Sequence, residues 1–124
     1  MKSSRKYDLQ ERLVEFSASI IATKGLLSTG FATEHLLKQL IRSTTSSALN
    51  YGEAQSAESK RDFIHKMKIC LKELRESQIN LQILEKSNLV NNKEIFEIIQ
   101  KECNELVAIF TTSIKTTNKL TEKR

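Results

Sequence analysis

The apolar residues of this chain fall into four stripes, each with the alternating three- and four-residue spacing of a helix that packs along one face. The third stripe is the most regular and holds its spacing for more than three heptads: Phe63, Met67, Cys70, Leu74, Ser77, Leu81 and Leu84, widened by Ile64 and Leu71. A seam maintained for this length indicates nearly antiparallel helices that cross at a small angle.

The other three stripes follow the same rule. The first comprises Leu9, Leu13, Phe16, Ile20 and Leu27, with Thr23 in the remaining slot. The second comprises Leu37, Ile41, Thr44, Ala48 and Tyr51. The fourth comprises Ile95, Phe96, Ile99, Cys103, Leu106, Phe110, Ser113 and Thr117. The pattern predicts helices over about residues 8–27, 33–51, 59–86 and 92–117, followed by a frayed tail at 118–124.

Capping residues agree with these boundaries. Side chains that can accept a hydrogen bond from a free first-turn amide stand before each helix: Asp8, Thr33, Ser59 and Asn91 or Asn92. Asp8 with Glu11 predicts a capping box, and Gly52 predicts the end of the second helix. Short linkers between long helices favour an all-α, antiparallel up-down-up-down four-helix bundle, with residues 1–124 as one domain.

Small residues occupy the middle of the second helix, where "STTSSA" runs from Ser43 to Ala48. Thr44 and Ala48 fall on the seam, with Ser47 beside it. Side chains this small allow another helix backbone to approach closely, and their hydroxyls can bond to the carbonyl one turn back. The sequence leaves two interpretations open: a tight contact inside the bundle, or a contact with a neighbouring subunit.

Composition narrows the class of protein. The chain has no proline and only three glycines, which permits long helices, and its formal net charge is +5. No apolar run approaches the roughly 20 residues that a membrane span needs, and the first residues lack the hydrophobic region of a signal peptide. We therefore expect no membrane association and a cytoplasmic location.

No motif predicts catalysis, a metal or a cofactor. Cys70 and Cys103 stand on apolar helical positions without the paired spacing of a zinc site, which predicts buried free thiols. His35 and His65 belong to no HExxH or Ser-His-Asp arrangement and are expected to be exposed. The segment "KGLLSTG" lacks the spacing of a phosphate-binding loop.

One long segment carries a family resemblance. The stretch "QLIRSTTSSALNYGEAQSAESKRDFIHKMKICLKELRESQINLQIL" resembles the four-helix-bundle proteins named after the intervening sequences of 23S rRNA genes. The match runs from Leu40 and Arg42, through a small-residue turn to Asn50 and Glu53, then to Phe63 and "LKELRES". It covers about residues 7 to 117 and is strongest from 36 to 84. The family often has Glu-Gly after the turn Asn, whereas this chain has "YGEA", with Gly52 before Glu53.

The resemblance implies an antiparallel bundle that assembles as a ring, typically a homopentamer. It extends to accessory proteins of diversity-generating retroelements, which form basic barrels that contact a reverse transcriptase and nucleic acid. It does not imply an enzyme.

Polar residues that match the family pattern are interpreted structurally: Arg42, Asn50, Glu53, Lys72 and Glu73. In an antiparallel helix pair, residues 42–53 can face residues at about 63–75. We therefore predict an Arg42–Glu73 ion pair, with Asn50 and Glu53 capping the turn, as a polar network that fixes register.

Basic residues form a second pattern on the third helix, opposite its apolar stripe: Arg61, His65, Lys68, Lys72 and Arg75. This stripe is the best candidate for a phosphate-contacting surface, which Lys24, Arg5 and Lys6 could extend. No aromatic residue interleaves with it, so base stacking is not indicated. The alternative for the stripe is an ordinary solvated face, because Asp62 and Glu76 lie close by.

The sequence thus predicts a non-enzymatic, homo-oligomeric bundle that binds structured RNA or DNA through a basic helical face. The alternative is an adaptor or scaffold ring whose partner is a protein, such as a reverse transcriptase, and not a nucleic acid.

Overall fold

The computed structural model describes the chain from residue 8 to residue 122, and its regular structure in this range is helical. The helices are α1 (Leu9–Ala22), α2 (Phe31–Gln55), α3 (Lys60–Lys86) and α4 (Lys93–Glu122). A 3₁₀ turn, Thr23–Leu26, continues α1. The predicted all-α four-helix bundle is confirmed.

Each helix packs against two others, in the cyclic order α1, α2, α3, α4. The α1–α2 and α3–α4 connectors are hydrogen-bonded to each other through main-chain atoms. The Ser28 amide donates to the Leu89 carbonyl at 2.8 Å, and the Asn91 amide donates to the Leu26 carbonyl at 2.7 Å. These two connectors therefore share one end of the bundle, as the up-down-up-down topology requires.

Most of the predicted stripes form the core. On α3, Met67, Cys70, Leu74, Ser77, Leu81 and Leu84 are all buried. On α4 the stripe is right from Phe96 to Phe110, but its two ends differ. Ile95 is 45% exposed, and Ile114 is buried where Ser113 and Thr117 were predicted to be. A four-residue step from Phe110 to Ile114 keeps an apolar side chain facing the core, whereas Ser113 would not.

The predicted boundaries of α2 are wrong at both ends. The helix begins at Phe31 after Gly30, whose φ of 145° favours glycine, and Thr33 lies buried in the first turn instead of capping it. Gly52 does not end the helix, which continues to Gln55. A Cβ at Gly52 would lie 3.1 Å from Oε1 of Gln10, so the glycine leaves room for that side chain. Gln10 uses its Nε2 to donate to the Ala48 carbonyl at 3.0 Å.

The caps of the other helices agree with prediction, but the tail does not. Asp8, Ser59 and Asn92 each accept a hydrogen bond from the amide three residues later, at 2.9, 3.0 and 3.1 Å. The predicted tail at 118–124 is helical as far as Glu122, and residues 123–124 lie outside the described residues.

The small residues of α2 pack inside the bundle, which decides between the two interpretations of this stretch. Ser43, Thr44, Ser47 and Ala48 are buried. The hydroxyls of Ser43 and Ser77 are hydrogen-bonded at 2.6 Å, and Cys70 donates its thiol to the Ser47 carbonyl at 3.4 Å. Small side chains thus allow α2 and α3 to pack closely, and their hydroxyls bond across the contact.

Candidate functional site

The basic stripe lies along the outer face of α3, opposite the buried seam. All five residues are exposed: Arg61, His65, Lys68, Lys72 and Arg75. At 1.5 Å per residue, the stripe is about 21 Å long. Within the described chain, no carboxylate pairs with Arg61, Lys68 or Arg75, while the Lys72 ammonium lies 3.7 Å from Glu76. The exposure is as expected, and the role of these residues stays a prediction.

The same stripe changes character toward the end of α3. Ile79 and Ile83 follow Arg75 on the same helical face and are 55% and 44% exposed. The outer face of α3 therefore has a basic first half and an apolar second half.

An acidic pair from α3 accompanies Arg42 of α2. Nη1 of Arg42 lies 3.5 Å from Oε1 of Glu73, and Nη2 lies 3.2 Å from Oε1 of Glu76. The predicted Arg42–Glu73 contact is therefore present. Glu73 is buried, yet its Oε1 receives no hydrogen bond of good geometry. The sequence placed Glu76 beside the basic stripe but did not predict its contact with Arg42. Glu76 also contacts Lys72 and so joins the stripe to Arg42.

Asn50 and Glu53 do not cap the turn. Nδ2 of Asn50 donates to the Ser46 carbonyl at 2.9 Å, one helical turn back, because the helix continues beyond both residues. Glu53 accepts a hydrogen bond from the Lys66 ammonium at 2.6 Å. The predicted network of Arg42, Asn50, Glu53 and Glu73 is therefore divided into separate contacts.

A third charged group, missed in the sequence, joins α1 to α4. The Arg12 guanidinium contacts Glu102 at 2.7 Å and Glu105 at 3.1 Å. The hydrogen bond to Glu102 is the largest cause of a raised pKa of Arg12. The sequence pattern missed Arg12 and Lys66 because neither belongs to an apolar stripe. Their partners lie on other helices, so only the alignment between helices identifies them.

The groups with potential reactivity are buried or exposed as predicted. Cys70 and Cys103 are free and buried, and burial raises the pKa of each thiol to about 12. His35 and His65 are exposed, and the His35 ring stacks on Phe31. Lys24 is also exposed, whereas Arg5 and Lys6 lie outside the described residues.

The described residues contain no cluster of three or more His, Cys, Asp or Glu side chains that could hold a metal ion. None of the helices between residues 8 and 122 is both long and apolar enough to cross a membrane.

These features define a compactly packed antiparallel four-helix bundle with a basic outer face. Residues 5–112 match the family model described as 23S rRNA-intervening sequence protein, and the chain belongs to this family. The chain is also similar to a crystal structure from Bacteroides thetaiotaomicron, a protein of unknown function from the S23 ribosomal protein family. The two are 29% identical, with a TM-score of 0.73, over 86% of this chain and 97% of the other. No curated protein matches the chain.

Proposed function

We propose that this protein is a non-enzymatic, cytoplasmic scaffold, folded as one domain, that assembles into a homo-oligomeric ring and binds structured nucleic acid. The observation that carries the proposal is the exposed basic stripe of α3, where Arg61, Lys68 and Arg75 have no carboxylate partner in the described chain. Charges that no acid of the described chain neutralises are available to phosphates.

The stripe is suited to bind phosphates and not bases. Its guanidinium and ammonium groups can each pair with a phosphate oxygen, and each contact releases counterions from the nucleic acid. No aromatic side chain lies among the five residues, so base stacking is not expected. Binding should therefore follow the shape and charge of a folded RNA or a duplex, with little dependence on its sequence.

Assembly would increase the effect of a short stripe. One copy presents few phosphate contacts, whereas a ring repeats the stripe around its circumference. Several copies on one nucleic acid act together through their high effective concentration, and affinity then falls steeply with salt. A pentamer, which is typical of the family that the sequence resembles, would present five stripes.

The first prediction concerns charge reversal on the stripe. Arg61→Glu/Lys68→Glu/Arg75→Glu should abolish binding to labelled structured RNA and duplex DNA, because it replaces phosphate-binding cations with anions. Fluorescence anisotropy between about 50 and 300 mM salt measures this, and wild-type affinity should fall steeply over the range. Lys72 is left intact because it contacts Glu76.

The matched control is Lys93→Glu/Lys115→Glu/Lys119→Glu, which changes the net charge equally at exposed positions on α4. It should retain most of the binding. Equal loss in both variants would attribute binding to net charge and overturn the stripe. Equally weak binding by wild type and both variants, with folding and assembly intact, would favour the alternative of a protein-binding adaptor.

A further inference from the structure

Phe31, at the start of α2, carries the most exposed large apolar side chain of the described residues. It is 86% exposed. The other four phenylalanines lie in the core or pack against it: Phe16, Phe63, Phe96 and Phe110. A single exposed apolar side chain is ordinary at a protein surface, so exposure alone assigns no role to this ring. The groups that surround Phe31 do indicate one.

The Phe31 ring is stacked on a second ring. Its centroid lies 6.3 Å from that of His35, with an angle of 16° between the ring planes. His35 follows one helical turn later, so the helix itself sets the spacing of the two rings. Contact with His35 restricts the rotamers of Phe31, which lowers the entropy lost when a further flat group stacks on its exposed side. Phe31 and His35, which we name the ring pair, are therefore a preorganised stacking platform.

Two cations continue the ring pair along the same face of α2. Lys38 and Arg42 follow it at the three- and four-residue spacing of one helical face. Lys38 is exposed and forms no ion pair within the described residues, although Glu34 stands one turn before it. Its ammonium is therefore available to an anionic group about 10 Å along the helix from Phe31.

Arg42 joins this face of α2 to the basic stripe of α3. Its guanidinium and the Lys72 ammonium contact the same carboxylate, that of Glu76, at 3.2 and 3.7 Å. Because α2 and α3 are antiparallel, the ring pair lies at one end of the combined surface and Arg61 lies at the other. Eleven residues of each helix separate these ends from Arg42 and Lys72, so the surface is about 33 Å long.

An unpaired nucleobase fits this combination of groups. Proteins hold single-stranded nucleic acid with aromatic side chains on which bases stack, and with cations that pair with the adjoining phosphates. A base inside a stem is covered by its neighbours on both sides, whereas a base in a loop, a bulge or an end can leave the stack. An apolar protein side chain would cover the ring of Phe31 but would offer no anion to Lys38.

We propose that the ring pair stacks on an unpaired base of the nucleic acid whose phosphates the basic stripe of α3 binds. This inference rests on the proposed function and defines its ligand more closely, as a structured nucleic acid with an unpaired base beside a stem. The base stacks on Phe31, Lys38 pairs with a phosphate next to that base, and the stem lies along α3. The platform accepts any of the bases, because each has a π-face.

The second prediction compares two forms of one labelled RNA hairpin. One form has intact loop nucleotides, whereas in the other every loop nucleotide is abasic, so that the phosphates are the same. Measured by fluorescence anisotropy, wild type should bind the intact hairpin about tenfold more tightly, as expected for one base stacked on an aromatic side chain. Phe31→Leu retains an apolar side chain without a π-face and should bind the two hairpins equally.

Two further variants control for the change. Phe31→Trp retains an aromatic ring and should keep the preference for the intact hairpin. Leu49→Ala removes a 69% exposed apolar side chain from the same face of α2 and should also keep it. Because these positions are exposed, we expect all three variants to fold like wild type, and circular dichroism checks this.

The other outcomes separate this inference from the proposed function. Equal binding of both hairpins by wild type overturns the stacking and leaves the phosphate-binding stripe in place. A preference that persists in Phe31→Leu overturns the ring pair as the site of stacking. A lower sedimentation coefficient of Phe31→Leu without RNA would show that the ring packs against a second copy, which also overturns the site. If wild type binds neither hairpin nor duplex DNA, the inference and the proposed ligand fail together.

Discussion

At the scale of single residues, burial determines the chemistry of the two cysteines. Each thiol is fully buried, and its hydrogen-bond acceptor is a carbonyl of a neighbouring helix: Ser47 for Cys70 and Leu74 for Cys103. Desolvation disfavours the thiolate, so the pKa of each rises from 9.0 to about 12. Thiolate is the reactive form, and these thiols are therefore inert in the folded protein at neutral pH.

The third prediction follows from this linkage between ionisation and folding. Well below pH 9 the thiols are protonated in both the folded and the unfolded protein, so pH does not change the free energy of unfolding through them. Between about pH 9 and 12 the unfolded chain releases thiol protons that the folded chain keeps, so stability falls as pH rises. The expected decrease is at most about 1.4 kcal/mol per thiol per pH unit.

Urea denaturation from about pH 8 to pH 10.5 would measure the decrease. Cys70→Ala/Cys103→Ala should be less stable than wild type at pH 8, because it leaves small cavities, but should lose less stability toward alkaline pH. Tyr51, whose pKa burial also raises, is present in both proteins and affects both profiles. Parallel profiles for the two proteins would contradict the prediction.

At the scale of the helices, the close contact between α2 and α3 depends on side-chain size. Ser43 and Ser47 of α2 are buried against α3, and their hydroxyls also bond to carbonyls three residues back in their own helix. The contact has no room for a larger side chain without separating the two helices.

The fourth prediction is that Ser47→Leu destabilises the protein by about 1–3 kcal/mol, because overpacking a tight contact forces backbone shifts. Chemical denaturation monitored by circular dichroism measures the change in the free energy of unfolding. Lys38→Leu, at an exposed position of the same helix, should change it by less than about 0.5 kcal/mol. A Ser47→Leu protein as stable as this control would show that the contact tolerates added volume.

The sequence predicted these helices where one periodic pattern dominates and failed where tertiary contacts decide. Helix α3 was predicted almost to the residue, because its stripe keeps one phase and Ser59 caps it. The predicted end of α2 was wrong because glycine by itself favours the end of a helix. Gly52 instead lies within the helix, where the missing side chain leaves room for Gln10 of α1. The helix of residues 118–122 was missed because Leu120 is the only apolar residue beyond 117.

The candidate site was predictable only in part, for a similar reason. Exposure of the basic stripe follows from periodicity within one helix. The partners of Glu53 and Arg12 lie on other helices. They depend on how two helices are aligned, and the residue spacing within one helix gives no information on that alignment. Arg42 was placed opposite Glu73 because residues 42–53 can face residues at about 63–75 in an antiparallel helix pair.

At the scale of the whole molecule, the outer face of α3 carries its basic and its apolar residues on separate halves. The basic residues occupy the first half of the α3 outer face, while Ile79 and Ile83 occupy the second half. In the proposed ring, symmetry would present the basic half of every copy in the same orientation. Affinity for a long nucleic acid then depends on assembly as well as on charge.

The fifth prediction concerns the length of the nucleic acid. If the protein assembles as proposed, wild type should bind a long structured RNA at least about tenfold more tightly than an RNA too short to reach two copies, since copies in one ring act at a high effective concentration. Fluorescence anisotropy on the two RNAs measures the difference. Equal affinities would show that one copy suffices.

The two ends of the bundle differ in how they would accept inserted sequence. At one end, main-chain hydrogen bonds join residues 26–28 to residues 89–91, so a peptide inserted in either connector would separate the two hairpins. At the other end, the described main-chain bonds of residues 56–59 stay within neighbouring turns. An affinity tag or a fluorescent-protein fusion therefore belongs between Gln55 and Lys60, where it would leave the helix packing undisturbed.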